Sequence, residues 1–146
     1  MTSDVFIDAS AIVAILLQED DRQRLTAAMM AAERRFTSAV ALYETAVTLA
    51  RRWKGDMNGA NKQLTGFAER AGLEILAVDE RTDALAREAF RRFGKGRAHP
   101  AQVNLGDCFA YACVKQHDSR FSTRGTTSPK RISSRHFVPV PDGKDT

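Results

Sequence analysis

Three carboxylates fall where an ionised side chain is expensive to keep. Asp8 directly follows the apolar run Val5-Phe6-Ile7. Glu44 lies in SAVALYETAVTLARR, with Ala41, Val47 and Thr48 on the neighbouring turn. Asp107 lies in NLGDCFAYACV, with Val103, Ala110 and Tyr111 one turn away. A charge on a mainly apolar face is unfavourable unless something compensates it. Each acid alone has an ordinary explanation. Asp8 can cap the helix that follows, in competition with Ser10, and Asp107 can cap a helix beginning at Cys108 after Gly106. Glu44 has no basic partner four residues on, where Thr48 stands, and Arg51 and Arg52 are too distant. Together, on three separate elements, the acids point to one shared site. Oxygen ligands without a His/Cys set select a hard cation, Mg²⁺ or Mn²⁺, over zinc. Such an ion, held by a few carboxylates, lowers the pKa of a water and neutralises charge on phosphate oxygens, which is the chemistry of phosphodiester hydrolysis.

Other chemistries find less support. His99, His117 and His136 are scattered without metal-ligand spacing and read as surface or structural residues. Cys108 and Cys113, five apart on one expected helix, suit neither a CxxC redox pair nor a zinc knuckle. They read as small buried residues in a reducing cytoplasm. The stretch GKGR at positions 94–97 lacks the GxxxxGK[ST] pattern of a phosphate-binding loop. No Ser-His-Asp or Cys-His arrangement can be argued.

The elements that must position the acids alternate in type. A buried strand is expected at residues 5–7, then a helix over 11–17 capped by Ser10 and a second over 21–33. A weak strand at 35–37 leads into a long helix, capped by Ser38, that reaches position 53. Lys54-Gly55-Asp56 breaks it, and residues 61–70 are helical again until Gly72. A third strand is expected over 73–78, then a helix capped by Asp79, a Gly/Lys/Arg-rich loop over 93–100 and a helix over 102–116. A last strand is expected just where the tail begins. This βαβ alternation implies an α/β fold, a central parallel sheet flanked by α-helices. Asp8 then lies at a strand's carboxyl end, where open α/β sheets place their ligands.

The 146 residues suffice for one domain with a core, and the hydrophobic share of 43% is that of a soluble globular chain. No apolar run approaches the roughly 18 residues of a membrane span. The greasiest stretch, 5–17, is interrupted by Asp8 and has no basic region before it, so it is not read as a signal peptide. The net charge of +4 is confined to one region: Arg120, Arg124, Lys130, Arg131 and Arg135 lie between positions 119 and 135 with no acid among them. The body of the chain is near neutral, and net charge alone argues weakly for RNA binding.

At the three acids the sequence resembles the PIN-domain ribonucleases, and more narrowly the VapC toxins of bacterial toxin–antitoxin pairs. The stretches that carry the resemblance are VFIDASAIVAILLQE from position 5, SAVALYETAVTLARR from 38 and FGKGRAHPAQVNLGDCFAYACVK from 93. It covers residues 1–118. The resemblance implies a PIN-like fold with acids clustered at the sheet's carboxyl edge around Mg²⁺ or Mn²⁺. Asp8, Glu44 and Asp107 match three of those acids as catalytic and metal-binding residues, and Ser10 matches a supporting hydroxyl position. It further implies cleavage of RNA of the tRNA or rRNA class and a homodimer. A VapB-type antitoxin would neutralise the toxin with a tail that enters the active site. Lys95 and Arg97 are candidate phosphate contacts, with a solvated loop as their plainer reading.

Residues 119–146 depart from the family as an atypical basic tail. Members commonly continue after this point with Pro-Leu-Leu-Tyr-Lys-Gly-Asp-Asp-Phe, a strand and a loop with further acids. This chain instead reads RFSTRGTTSPKRIS from position 120. Codons can be chosen for the family-like version that, read one nucleotide later, spell that string, so a frame-shifted gene end is one reading of the tail. Thr126 and Thr127 would then replace an Asp pair, Ile132 a later Asp, and a polar segment the last strand. The main functional expectation is a metal-dependent endoribonuclease. The alternative is a weakened or inactive PIN-like module that binds antitoxin or RNA without cutting. A third, a basic arm on an unrelated α/β domain, requires RNA affinity to vanish when the tail is removed, with a steep salt dependence.

Overall fold

Val5-Phe6-Ile7 forms the middle of β1 (Asp4–Ile7), every residue of which is buried, as a continuous apolar run requires. The computed structural model describes residues 3–93, 105–121 and 130–132. After β1 come α1 (Ala9–Leu16), α2 (Arg22–Ala31), β2 (Arg34–Ser38), α3 (Ala39–Arg52), α4 (Met57–Ala71) and β3 (Leu73–Leu76). Then follow α5 (Glu80–Phe93), α6 (Leu105–Phe121) and β4 (Lys130–Ile132). The sheet has the order β3-β2-β1-β4, with every pair parallel. The chain winds outward from β1 to β3 and then returns to the other side of β1. The reversal puts the topological switch point between β1 and β4, and a crevice opens there at the strands' carboxyl ends.

Alternation along the strands sorts two cores. Ile7, Ile12, Leu25, Phe67 and Ile132 fill the layer between the sheet and α1, α2 and α4. On the opposite face Phe6 and Phe36 pack against Ala110, Cys113 and Val114 of α6. Helix α5 lies outside α6 through Ala86, Ala89, Cys108, Tyr111 and Ala112.

Several boundaries differ from the sequence expectation. Ser10 does not cap α1: the helix starts at Ala9, Asp8 occupies the cap position, and Ser10 lies inside the first turn. Helix α4 begins at Met57, four residues before the expected 61, because the Asp56 carboxylate accepts from the Gly59 amide at 2.8 Å. Asp107 is likewise no cap, since α6 already runs from Leu105. The final strand does not open the tail. Helix α6 continues to Phe121, and the strand that completes the sheet is Lys130–Ile132. Ser38 does cap α3, accepting from Ala41 N at 3.0 Å, and Gly72 ends α4 at φ +63°. The loop expected at 93–100 and the start of the helix expected at 102 lie, beyond Phe93, outside the described residues.

Asp79 joins α5 to α6. Its Oδ1 accepts from Thr82 N (3.0 Å) and from Gln116 Nε2 of α6 (3.1 Å), while Thr82 Oγ1 accepts from Asp79 N (3.1 Å) in a reciprocal cap. The Thr82 amide first, then the Gln116 and Thr82 side chains, hold the Asp79 carboxyl down at about 2. The folded value lies below the unfolded one, so this contribution is complete above about pH 4 and is lost as pH falls towards 2. Asp79→Asn, which retains capping ability, should therefore melt below the unmodified chain at neutral pH. Thermal melts across that window should show the two curves converging; a Tm gap unchanged down to about pH 2 would remove the carboxylate's role.

Candidate active site

Asp8 leaves the carboxyl end of β1 with its backbone stitched to β4, its amide donating to Ile132 O at 3.0 Å. Asp107 reaches the same crevice from the first turn of α6. A single nitrogen lies between them. Arg131 Nη2 is 3.1 Å from Asp8 Oδ2 and 3.2 Å from Asp107 Oδ1, with all three side chains nearly buried (2%, 4% and 9% exposed for Arg131, Asp8 and Asp107). Two carboxylate oxygens from different elements thus face one cation-sized point. Ser10 Oγ donates to Asp8 Oδ2 at 2.9 Å, fixing the carboxylate's rotation from within α1.

The alignment of α6 along β1 explains the meeting of Asp8 and Asp107. Ten residues after Asp107, His117 Nε2 lies 3.2 Å from Asp4 Oδ2 at the other end of β1. Ten helical residues span about 15 Å, and the four steps from Asp4 to Asp8 span about 13 Å. Helix and strand therefore run antiparallel with matched lengths and an acid-bearing contact at each end.

Glu44 stands on the half-buried side of α3 and lies over Gly106. A Cβ on that glycine would come under 3.0 Å from all three atoms of the Glu44 carboxyl group. The acid thus rests on the N-terminal turn of α6, where the helix dipole favours negative charge, one residue before Asp107. Gly106→Ala should separate geometry from stability. Alanine improves helix propensity by about 1 kcal/mol, and the group it displaces is the movable end of Glu44. On the expectation that Glu44 serves RNA cleavage, the outcome is an unchanged or raised Tm with cleavage reduced about tenfold. Full activity with a normal melt would mean that Glu44's place is immaterial.

The structure thus brings Asp8, Asp107 and Ser10 into direct or bridged contact, with Glu44 at their edge. Lys95 and Arg97, with His99, His136, Thr126 and Thr127, lie outside the described residues. His117 is buried at the far end of β1. Arg131 was not foreseen. In the sequence it is one of five bases in the tail, and nothing in Lys130-Arg131-Ile132 announces a strand directed at two acids 24 and 123 residues away.

The donor set is hard. Burial raises the thiol pKa of Cys108, assisted by the Asp107 charge, and burial pushes that of Cys113 up to about 11, so both stay protonated and are poor ligands. Among the described residues no three His, Cys, Asp or Glu side chains form a ready cage for a metal. Two carboxylates facing one point with a third alongside nevertheless fit Mg²⁺ or Mn²⁺, ions bound through one or two carboxylates with retained waters.

Comparison with known proteins identifies the family. The family model described as PIN domain matches residues 5–131. A protein named Ribonuclease VapC from Mycolicibacterium smegmatis is 41% identical over 109 residues, covering 75% of this chain and 81% of its own length. Ribonuclease VapC30 of Mycobacterium tuberculosis is 39% identical over 109 residues, covering 75% of this chain and 80% of its own. A VapC ribonuclease of Rhizobium meliloti is 33% identical over 122 residues, covering 76% and 86%. Among solved structures, M. tuberculosis VapC20, described as a Sarcin-Ricin loop cleaving toxin, superposes with a TM-score of 0.59 at 21% identity. The match covers 86% of this chain and 98% of that one, and at this identity it speaks for the fold.

Proposed function

This chain belongs to the PIN-domain family and, within it, to the VapC ribonucleases, and from that premise we propose a Mg²⁺- or Mn²⁺-dependent endoribonuclease toxin whose catalytic acids are Asp8, Glu44 and Asp107. The observation that carries the metal site is the convergence of Asp8 Oδ2 and Asp107 Oδ1 on one cationic nitrogen at the switch point of the sheet. When bound there, the metal would acidify a water and offset charge building on the scissile phosphate.

The chain's own groups prepare that step. Ser10 holds the Asp8 carboxylate in one orientation, so no rotation is needed as charge develops. In this reading Glu44, whose carboxyl group lies beside Gly106, takes a proton from the attacking water. The water oxygen bonds to phosphorus as the opposite phosphorus–oxygen bond breaks, in line and without a covalent enzyme intermediate, and the leaving sugar oxygen takes its proton from solvent. Lys95 and Arg97 are the candidate contacts to flanking phosphates. The substrate is RNA of the tRNA or rRNA class, the inhibitor a VapB-type antitoxin, the assembly a homodimer and the compartment the cytoplasm. Among the described residues no helix is long and apolar enough to cross a membrane. Cleavage of RNA with Mn²⁺ or Mg²⁺, abolished by EDTA and by Asp8→Asn, is the test; cleavage that survives both excludes the mechanism.

One observation favours a second reading, a module that binds antitoxin or RNA without cutting: the Arg131 guanidinium stands between the two acids. That reading entails tight VapB binding with no nuclease activity and no growth arrest on expression. A frame-shifted gene end after residue 118 would account for the arginine's arrival there. Toxicity of this chain, compared with one whose tail is restored to the neighbouring frame, separates the readings.

A further inference from the structure

β4 is short, but its register is well tied. Val5, Phe6 and Ile7 pair with Lys130, Arg131 and Ile132, and Ile132 is buried in the core beneath the sheet. Strand alternation then turns Arg131 to the opposite face, the one covered by α6, where the first side chain it meets at the crevice is Asp107. The strand therefore delivers a positive charge into the acid pair by backbone geometry.

The manner of contact is unusual for a buried arginine. A guanidinium normally engages a carboxylate with two nitrogens in parallel. Here Nη2 serves both Asp8 and Asp107, while Nε and Nη1 are buried with no hydrogen-bond partner among the described residues. The cation is drawn in by charge but poorly satisfied in its hydrogen bonds, and buried donors without partners are unfavourable. A divalent ion that accepts carboxylate oxygens and brings its own waters is better matched to the same oxygens.

We propose that Arg131 is a built-in counter-cation of the Asp8–Asp107 pair, and that Mg²⁺ or Mn²⁺ enters only by displacing its guanidinium. Arginine-in and metal-in are then two exclusive states of one site. Removing Arg131 removes the competing state, and the apparent affinity for metal rises by the reciprocal of the fraction of chains whose site is open. An arginine that holds the acids nine-tenths of the time weakens metal binding about tenfold. This inference rests on the metal-dependent reading above.

The experiment is Mn²⁺ binding to the full chain, followed by calorimetry and by the spectrum of the free ion, with no RNA present. Three forms are compared: unmodified, Arg131→Met, which keeps much of the stem and loses the charge, and Arg131→Lys, which retains the charge. The expected result is Mn²⁺ binding about tenfold tighter in Arg131→Met, with Arg131→Lys close to the unmodified chain. Equal affinity in all three overturns the counter-cation while leaving the metal site standing, and equal tightening by Met and Lys overturns it too. Failure of every form to bind Mn²⁺ overturns both the inference and the metal-dependent reading. Should Arg131→Met not fold, the unmodified chain decides. On Mg²⁺ saturation the Arg131 Nε–H resonance should shift and exchange faster with water, and an unchanged signal with Mg²⁺ bound overturns the displacement.

Discussion

Asp8→Asn is expected to lower metal-dependent RNA cleavage at least about a hundredfold without unfolding the chain. Several kcal/mol of transition-state stabilisation reside in the metal and its ligands, and each 1.4 kcal/mol is about a factor of ten in rate. Asparagine keeps the shape of the side chain and an oxygen for the Ser10 hydroxyl to reach, so the loss isolates the charge. A stability change should accompany it. Stripping a buried cation of its partner costs about 3–5 kcal/mol, but Arg131 retains Asp107, so the decrease in this variant should fall below that range. Glu44→Gln is the useful comparison. Glu44 lies beside Gly106 and not at the point shared by Asp8 and Asp107, so its effect on metal affinity should be smaller than its effect on turnover. Single-turnover cleavage at several Mn²⁺ concentrations distinguishes the two. If Asp8→Asn cleaves as fast as the unmodified chain at every concentration, the site has been misplaced.

Much of the scaffold was legible because local signals agreed. An apolar run bounded by acids marked β1, and Ser38 and Asp79 marked the starts of α3 and α5. Where two signals of one kind competed, the reading failed. Asp8 and Ser10 are both good capping residues, and only tertiary structure decides that Asp8 ends the strand while Ser10 turns back to it. The start of α4 was placed at 61, yet Asn58 and Gly59 already lie within it, because Asp56 caps the helix ahead of them. β4 had no local signal. Three residues with two bases show no alternation, and the strand exists because Ile132 reaches a core built by residues far earlier in the chain, from Val5 to Ala71.

The acids were legible for a different reason: a carboxylate among small apolar neighbours is costly, and three such costs seek one explanation. What compensates them was not legible. The sequence contains twenty-two lysines and arginines, and composition does not say which one the topology carries to the switch point. The same blindness covers Asp4, whose partner is 113 residues away. That pair supports the second large effect.

His117→Ala should destabilise the protein by about 3 kcal/mol, the lower part of the range for opening a buried polar pair. For a chain of this size that is a fall in Tm of about 6–12 °C. The Asp4 side chain is 1% exposed and that of His117 2%; Oδ2 of the acid meets Nε2 of the ring at 3.2 Å, and its Oδ1 is already buried without a partner among the described residues. Phe36, with its ring centroid 4.2 Å from the imidazole, packs an aromatic face beside the pair, so removing the ring leaves the carboxylate in apolar company. Replacing both members, as Asp4→Leu with His117→Phe, should recover most of the loss, because a well-packed apolar pair removes the buried charge along with its partner. The consequence for the site follows from the two-point alignment of α6 on β1. With the Asp4 end open, the Arg131 bridge between Asp107 and Asp8 loses its second anchor on α6, so below its Tm the His117→Ala variant should bind Mn²⁺ more weakly than the double variant does. Denaturant melts of the unmodified chain, Asp4→Leu, His117→Phe and the double variant, with Mn²⁺ titrations of these and of His117→Ala, decide it. A coupling energy below about 0.5 kcal/mol, or equal metal affinity in single and double variants, would mean that this end of α6 does not align the other.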